Sequence, residues 1–271
     1  MIRRALGILS LVLIWELTAL YIKKIFPETA HTVLPTIEYV FRVSLPELSS
    51  FDQSGTGYGE TSYLGAFLVL GKHSLITAAR VIVGTSLGML LGVFLGILMA
   101  WSPIVKKYLQ PIVSFIRPIP LLALVPLFIL WFGGKEAGNI LYIVFGISVM
   151  VVVNTLNAIR NIPPHYPLFA ETLGATRGQV FKTVIFPAII PELIGGIKVA
   201  LGMAWAITLG AEMLAAQQGL GRILILSQYF MYTGRMIIVV ILFMLYSFIL
   251  NIVTTRVGED VIRWKPKLKE E

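Results

Sequence analysis

A chain of 271 residues that is 57% hydrophobic and 13% charged, with a mean hydropathy of +0.85, lies far from soluble proteins, in which about 25% of residues are charged. It reads as an integral membrane protein, and the lack of cysteine excludes disulfides and thiol chemistry. The net charge of +8 does not mark a nucleic-acid binder, because the basic residues are scattered over loops with no aromatic platform beside them.

Apolar runs near or above the roughly 20 residues that cross a bilayer fall at residues 5–26, 75–101, 110–132, 138–159, 188–216 and 235–256. They predict an all-α membrane protein of six transmembrane helices in one domain, residues 1–271. Glu16 interrupts the first run and Lys23 and Lys24 close it; no small-residue cleavage site follows, which favours a span over a cleaved signal. Residues 27–73 are the one long external segment, broken by Pro35, Pro46 and the Gly-rich stretch Ser54 to Gly59. Pro35 followed by Thr36 to Phe41 predicts a short amphipathic helix at the outer interface.

The second run carries Gly84, Gly88, Gly92 and Gly96, a ladder at helical spacing that leaves one flank almost bare. An interior Gly costs about 1 kcal/mol against Ala in a soluble helix, so four of them require a compensating contact; close helix packing supplies it in membranes. In the third run Pro118, Pro120 and Pro126 remove backbone donors and must bend or open the helix, either to line a path or as packing kinks.

Orientation follows from the basic residues. With the N-terminus inside, cytoplasmic segments hold Arg3, Arg4, Lys106, Lys107, Arg160, Arg177, Lys182 and Arg256, then Arg263, Lys265, Lys267 and Lys269. They outnumber Lys23, Lys24, Arg42, Lys72, Lys135, Arg222 and Arg235 on the external side, which places both termini in the cytoplasm.

Between the fourth and fifth runs lies a cytoplasmic loop, residues 160–187, whose segment Leu168 to Pro187 keeps Glu171, Thr172, Thr176, Arg177, Gln179 and Lys182 in one polar block. A bare turn needs only a few residues. Ala170, Leu173, Ala175 and Val180 offer a small apolar surface, and Gly174 permits a sharp turn or close approach. A short helix of this kind docks in a partner's groove.

This segment resembles the cytoplasmic loop of binding-protein-dependent ABC importer permeases, Glu-Ala-Ala, three residues, Gly, nine residues, Ile, any residue, Leu-Pro. Gly174, Val184, Phe186 and Pro187 stand at the last marked positions and Ala170 at the second alanine, while Leu168 and Phe169 replace the Glu and the first alanine and Glu171 falls three places late. Further stretches resemble the nitrate, taurine and bicarbonate permease branch: Trp15-Glu16, Leu34-Pro35, Arg117 to Pro120 with Trp131 to Gly133, Glu171 to Thr176, and Ala211 to Ala216 with Gly219 to Gly221. The resemblance implies a type I ABC importer permease fold, with Ala170, Glu171, Thr172, Leu173, Gly174, Ala175, Thr176, Arg177 and Gln179 as the coupling segment. It also implies two copies of the chain as a homodimer, two separate ATP-binding subunits holding ATP and Mg, an external solute-binding protein, and a bacterial or archaeal cytoplasmic (inner) membrane. The expected solute is a small anion or zwitterion, taurine or another sulfonate before nitrate, bicarbonate or a vitamin precursor.

This chain is not expected to hydrolyse ATP or to bind a cofactor. A phosphate-cradling loop needs Gly, four residues, Gly-Lys and Ser or Thr, whereas Gly65 to Gly71-Lys72 has five intervening residues and is followed by His73. His31, His73 and His165 share no metal-ligand spacing.

Ionisable groups inside spans cost about 2.5 to 3.5 kcal/mol at the bilayer centre and call for partners. Arg80 and Glu212 lie at similar depth below the outer surface and are expected to pair, as an outer gate or a permanent helix tie. Glu192 and Arg117 near the inner ends are a second candidate pair. Asn154, Asn157, Trp205 and Thr208 supply polar or aromatic groups where a small solute passes, or are satisfied bundle-interior groups. The rival reading is a self-contained secondary transporter or channel, which leaves the loop without a purpose; no inverted repeat supports it.

Overall fold

The computed structural model describes residues 2–54 and 61–261, so the Gly-rich stretch past Ser54 and the basic residues from Arg263 onward lie outside the described residues. All regular structure among the described residues is helical. They divide into two compact units, those up to Ala78 with Glu212–Leu245 and Ala79–Ala211 with those from Tyr246 onward.

In the first unit, helix α1 (Ile2–Ile25) presents Leu9, Leu11, Leu13, Ile14 and Leu17 outward. Its 24 residues reach about 36 Å, enough for a bilayer. Trp15 Nε1 donates to the Pro35 carbonyl at 3.0 Å, and Glu16 Oε2 accepts the Ile37 amide at 2.9 Å. The Trp-Glu and Leu-Pro pairs noted in the sequence are therefore one device, in which α1 fixes the turn opening the short helix that begins at Ile37. Thr36 caps that helix by accepting the Tyr39 amide, and helical turns continue to Ser54. Arg235 ties the stretch to the start of the last helix through Glu47, at 3.0 Å.

Among the described residues, four helices are counted as long and apolar enough to cross a membrane: α2 (Tyr63–Trp101), α5 (Glu136–Arg160), the rod Arg177–Met213 and α9 (Thr233–Val261). The third apolar run is not one helix. It is α3 (Pro103–Ile116) and α4 (Leu121–Phe132), bent by 106° and counting as a further span if taken together. Pro118 and Pro120 sit in the break, where the chain turns before Pro120 caps α4 in extended backbone; Pro126 lies inside α4 without interrupting it. Gly133 then ends α4 with φ of 73°, a left-handed stop that Gly adopts without strain.

Helix α5 is the core of the second unit, with Tyr142, Ile143, Ile147, Val151, Val152 and Ala158 all buried. The Gly ladder of α2 packs on it, as the spacing predicts. A Cβ on Gly84 would stand 2.7 Å from Ile143, on Gly88 2.8 Å from Ile147, on Gly92 2.6 Å from Val151 and on Gly96 2.6 Å from Thr155. Each step of four on α2 matches a step of four on α5 in the same direction, so the two helices run parallel. Parallel second and fourth spans require an odd number of crossings between them, which the bent pair α3–α4 supplies as one. At the C-terminal end of α5 Ala158, Ile189 and Leu193 close the core with Ile159, Ile162 and Ile185 around them.

Candidate functional site

The loop after α5 is a helix, a turn and a second helix. Helix α6 (His165–Thr172) stops because Gly174 takes φ of 84°: its amide donates to the Glu171 carbonyl at 2.9 Å and the Ala175 amide to the Ala170 carbonyl at 3.1 Å. That pair of bonds satisfies carbonyls a helix end otherwise leaves bare. Two residues on, Thr176 starts the next helix with a capping box. The Gln179 amide donates to Thr176 Oγ1 at 3.4 Å, and Gln179 Oε1 accepts the Thr176 amide at 2.8 Å. Residues Arg177–Val180, a π turn at Phe181–Ile185 and α7 (Phe186–Ala215) follow without a break.

The segment thus reverses direction by local rules alone, and what it exposes is apolar. Leu168, Phe169 and Leu173 are 58%, 68% and 74% exposed, flanked by exposed Glu171, Thr172 and Arg177. Ala170 and Ala175 are half-buried. Val180, expected on the docking surface, is buried instead; with Trp101 and Phe181 it lines a groove of about 280 Å³ whose edge carries Glu171 and Arg177. The Trp101 and Phe181 rings meet edge to face at 5.2 Å, anchoring the π turn to the end of α2. Gln179 uses its carbonyl oxygen on the cap. Leu168 and Phe169 were read only as departures from the family pattern, and the missed signal was two large side chains kept apolar in a polar loop.

Each residue expected along the path has its own surroundings. Arg80 is buried and clasps the Glu136 carboxylate with two hydrogen bonds, Nε to Oε2 at 2.7 Å and Nη2 to Oε1, tying α2 to the first turn of α5, where a negative charge suits the helix dipole. Glu192 and Arg117 are held apart from one another: Glu192 accepts from Asn161 Nδ2 at 2.7 Å, and Arg117 lines a cavity. Depth along two spans brought these residues level, but their azimuths differ. Asn154 lines the same cavity and donates to the Gly196 carbonyl at 3.5 Å. Asn157 is exposed, Trp205 is buried and stacks on Tyr246 at 5.7 Å, and Thr208 is fully buried.

Glu212, with no exposed surface, caps a helix in the first unit. It accepts from Thr77 Oγ1 at 3.0 Å and from the Gly221 amide at 2.9 Å, at the start of α8 (Leu220–Tyr229). Two further amides of this turn are held by α2: Leu220 donates to Thr77 Oγ1 and Gly219 to His73 Nδ1, both at 2.9 Å. Gly219 has φ of 116°, and a Cβ there would fall 2.5 Å from the Glu212 carboxyl. His73 Nε2 meets Asp52 Oδ1 at 2.9 Å, and Lys72 reaches Asp52 Oδ2 at 2.6 Å. Burial pushes the Asp52 carboxyl up, but the hydrogen bonds from Lys72 and His73 outweigh it and hold its pKa below the ordinary value. This network was invisible in sequence, where His73 and Gly219 stand 146 residues apart. No three His, Asp or Glu side chains among the described residues come together as a metal would require.

Comparison with known proteins bears on the loop and the bundle together. The family model described as "Binding-protein-dependent transport system inner membrane component" matches residues 88–263. The taurine transport system permease protein TauC of Escherichia coli is 36% identical over 152 residues, 56% of this chain and 55% of that protein. The putative aliphatic sulfonates transport permease protein SsuC of Bacillus subtilis is 32% identical over 193 residues, 71% of this chain and 70% of that one. Among solved structures, an inward-facing MetNI methionine ABC transporter matches with a TM-score of 0.63 at 20% identity, covering 72% of this chain and 96% of that chain. The likeness shows the type I permease fold.

Proposed function

The chain belongs to the family of binding-protein-dependent transport system inner membrane components, as the permease subunit of an ABC importer, and we propose that it passes a small organic anion or zwitterion of the taurine and sulfonate kind across the cytoplasmic membrane, driven by a separate ATPase. Two copies form the path, both termini face the cytoplasm, and an external binding protein delivers the solute. The substrate reading draws on the names of the taurine and aliphatic sulfonate relatives.

The observation that carries the coupling reading is the loop's construction. Leu168, Phe169 and Leu173 are presented on a turn closed from both sides by its own hydrogen bonds, so the apolar face is rigid before any partner arrives. A docked ATPase shifts the permease between inward and outward access only by its differential affinity for the two states, so a lever that gave way would transmit nothing.

Gly174→Val in the assembled transporter tests this. A β-branched residue at φ of 84° breaks the turn while leaving the spans untouched. ATP hydrolysis should persist or fall modestly while uptake of labelled taurine or butanesulfonate into proteoliposomes is lost. Full uptake by that variant, or uptake by the permease purified without an ATPase, would overturn the proposal.

A further inference from the structure

The second unit contains a cavity of about 590 Å³ between α5, the break before α4 and α7, within the roughly 300 to 1,000 Å³ typical of small-ligand sites. From Tyr142 to Asn154 it follows α5 for about 18 Å. Its walls are apolar, with Tyr142, Phe145, Met150 and Met203 the largest side chains. Arg117, exposed at its mouth, is the one charged residue among those lining it, and half-buried Asn154 brings an amide; no carboxylate lines it.

That inventory selects a ligand. A guanidinium is weakly hydrated and binds a planar or tetrahedral oxyanion through two parallel N–H groups, and as the single cation lining the cavity Arg117 balances one negative charge. Apolar walls reward a hydrocarbon tail and penalise a bare inorganic dianion, which would lose its hydration over most of its surface. A zwitterion fares worse than a simple anion, because its ammonium group would lie against apolar walls with no carboxylate to meet it.

We propose that this cavity binds a non-zwitterionic aliphatic sulfonate, with the sulfonate on Arg117, the amide of Asn154 beside it and the chain along Phe145, Met150 and Met203. The inference rests on the importer reading and sharpens it: the permease itself discriminates between an alkanesulfonate and taurine, before or apart from any choice made by an external binding protein.

The test is equilibrium binding of radiolabelled butanesulfonate and taurine to the permease–ATPase complex in nanodiscs, without binding protein. Butanesulfonate should bind saturably, taurine about tenfold more weakly or less, and Arg117→Gln should weaken butanesulfonate about tenfold while Arg117→Lys retains part of the affinity. Met203→Trp, which fills the cavity from a half-exposed position, should abolish binding in a complex that still assembles by size exclusion. Taurine binding as tightly as butanesulfonate, no saturable binding of either, or sulfonate binding indifferent to Arg117→Gln or Met203→Trp overturns the inference. A complex that binds no sulfonate yet loses uptake on Gly174→Val removes this site and leaves the importer reading standing.

Discussion

Two glycines with positive φ separate conformational from steric demand. Gly174 needs its left-handed backbone, but a Cβ there meets nothing within 4 Å, so Gly174→Ala should cost only the strain of about 1–2 kcal/mol. Gly219→Ala adds a collision with the Glu212 carboxyl, a further cost of about 1–3 kcal/mol, and displaces the group that caps α8. Thermal melting of the detergent-solubilised protein should therefore fall clearly further for Gly219→Ala than for Gly174→Ala; equal shifts would mean that Glu212 does not occupy this turn. Asp52 gives a pH-dependent counterpart. Its carboxyl is held below its ordinary pKa, so its bonds to Lys72 and His73 are complete above that value and are lost only as pH falls through the lowered one. Asp52→Asn should lower the melting temperature by a similar amount at pH 7 and pH 5, and the gap to the parent should close only below about pH 4.

Among the elements, the contact of α2 with α5 makes the sharpest demand. Gly96→Ala places a methyl 2.6 Å from the Thr155 Cβ, and Thr155→Gly removes what it strikes. Each single variant should be destabilised, by about 1–3 kcal/mol for the overpacked one, and the double variant should lose less than the sum, a non-additivity that measures the contact. Strict addition in melting experiments would show that the helices meet elsewhere. This ladder was legible in the sequence because four glycines at one spacing define a face without knowledge of the partner. The loop was legible for a similar reason: Gly174 and the Thr176–Gln179 box act through local bonds. Val180 was misplaced because apolar character does not say on which side of a turn a residue falls, and here it faces the groove it shares with Trp101 and Phe181. Sequence likewise gives depth but not azimuth, so Glu192 and Arg117 looked like partners although Asn161 holds the acid.

For the whole molecule the parallel course of α2 and α5 fixes more than a packing contact. Both must cross in the same sense, so Trp101 and Arg160 at their ends lie on one side of the membrane, and the paired Arg80 and Glu136 toward the other. The loop at residues 160–187 then shares a side with the start of α3, where Lys106 and Lys107 add positive charge, as an inward-facing surface should. The chain lacks cysteine, so single substitutions report topology without background. Leu173→Cys and Lys107→Cys should react with a membrane-impermeant maleimide in inside-out vesicles and stay protected in intact cells, whereas Lys135→Cys should show the reverse. If an ATPase docks on Leu168, Phe169 and Leu173, its presence should protect Leu173→Cys and leave Lys135→Cys as reactive as before. Labelling of Leu173→Cys from outside intact cells would place the loop where no nucleotide-driven partner can reach it and would remove the mechanism along with the orientation.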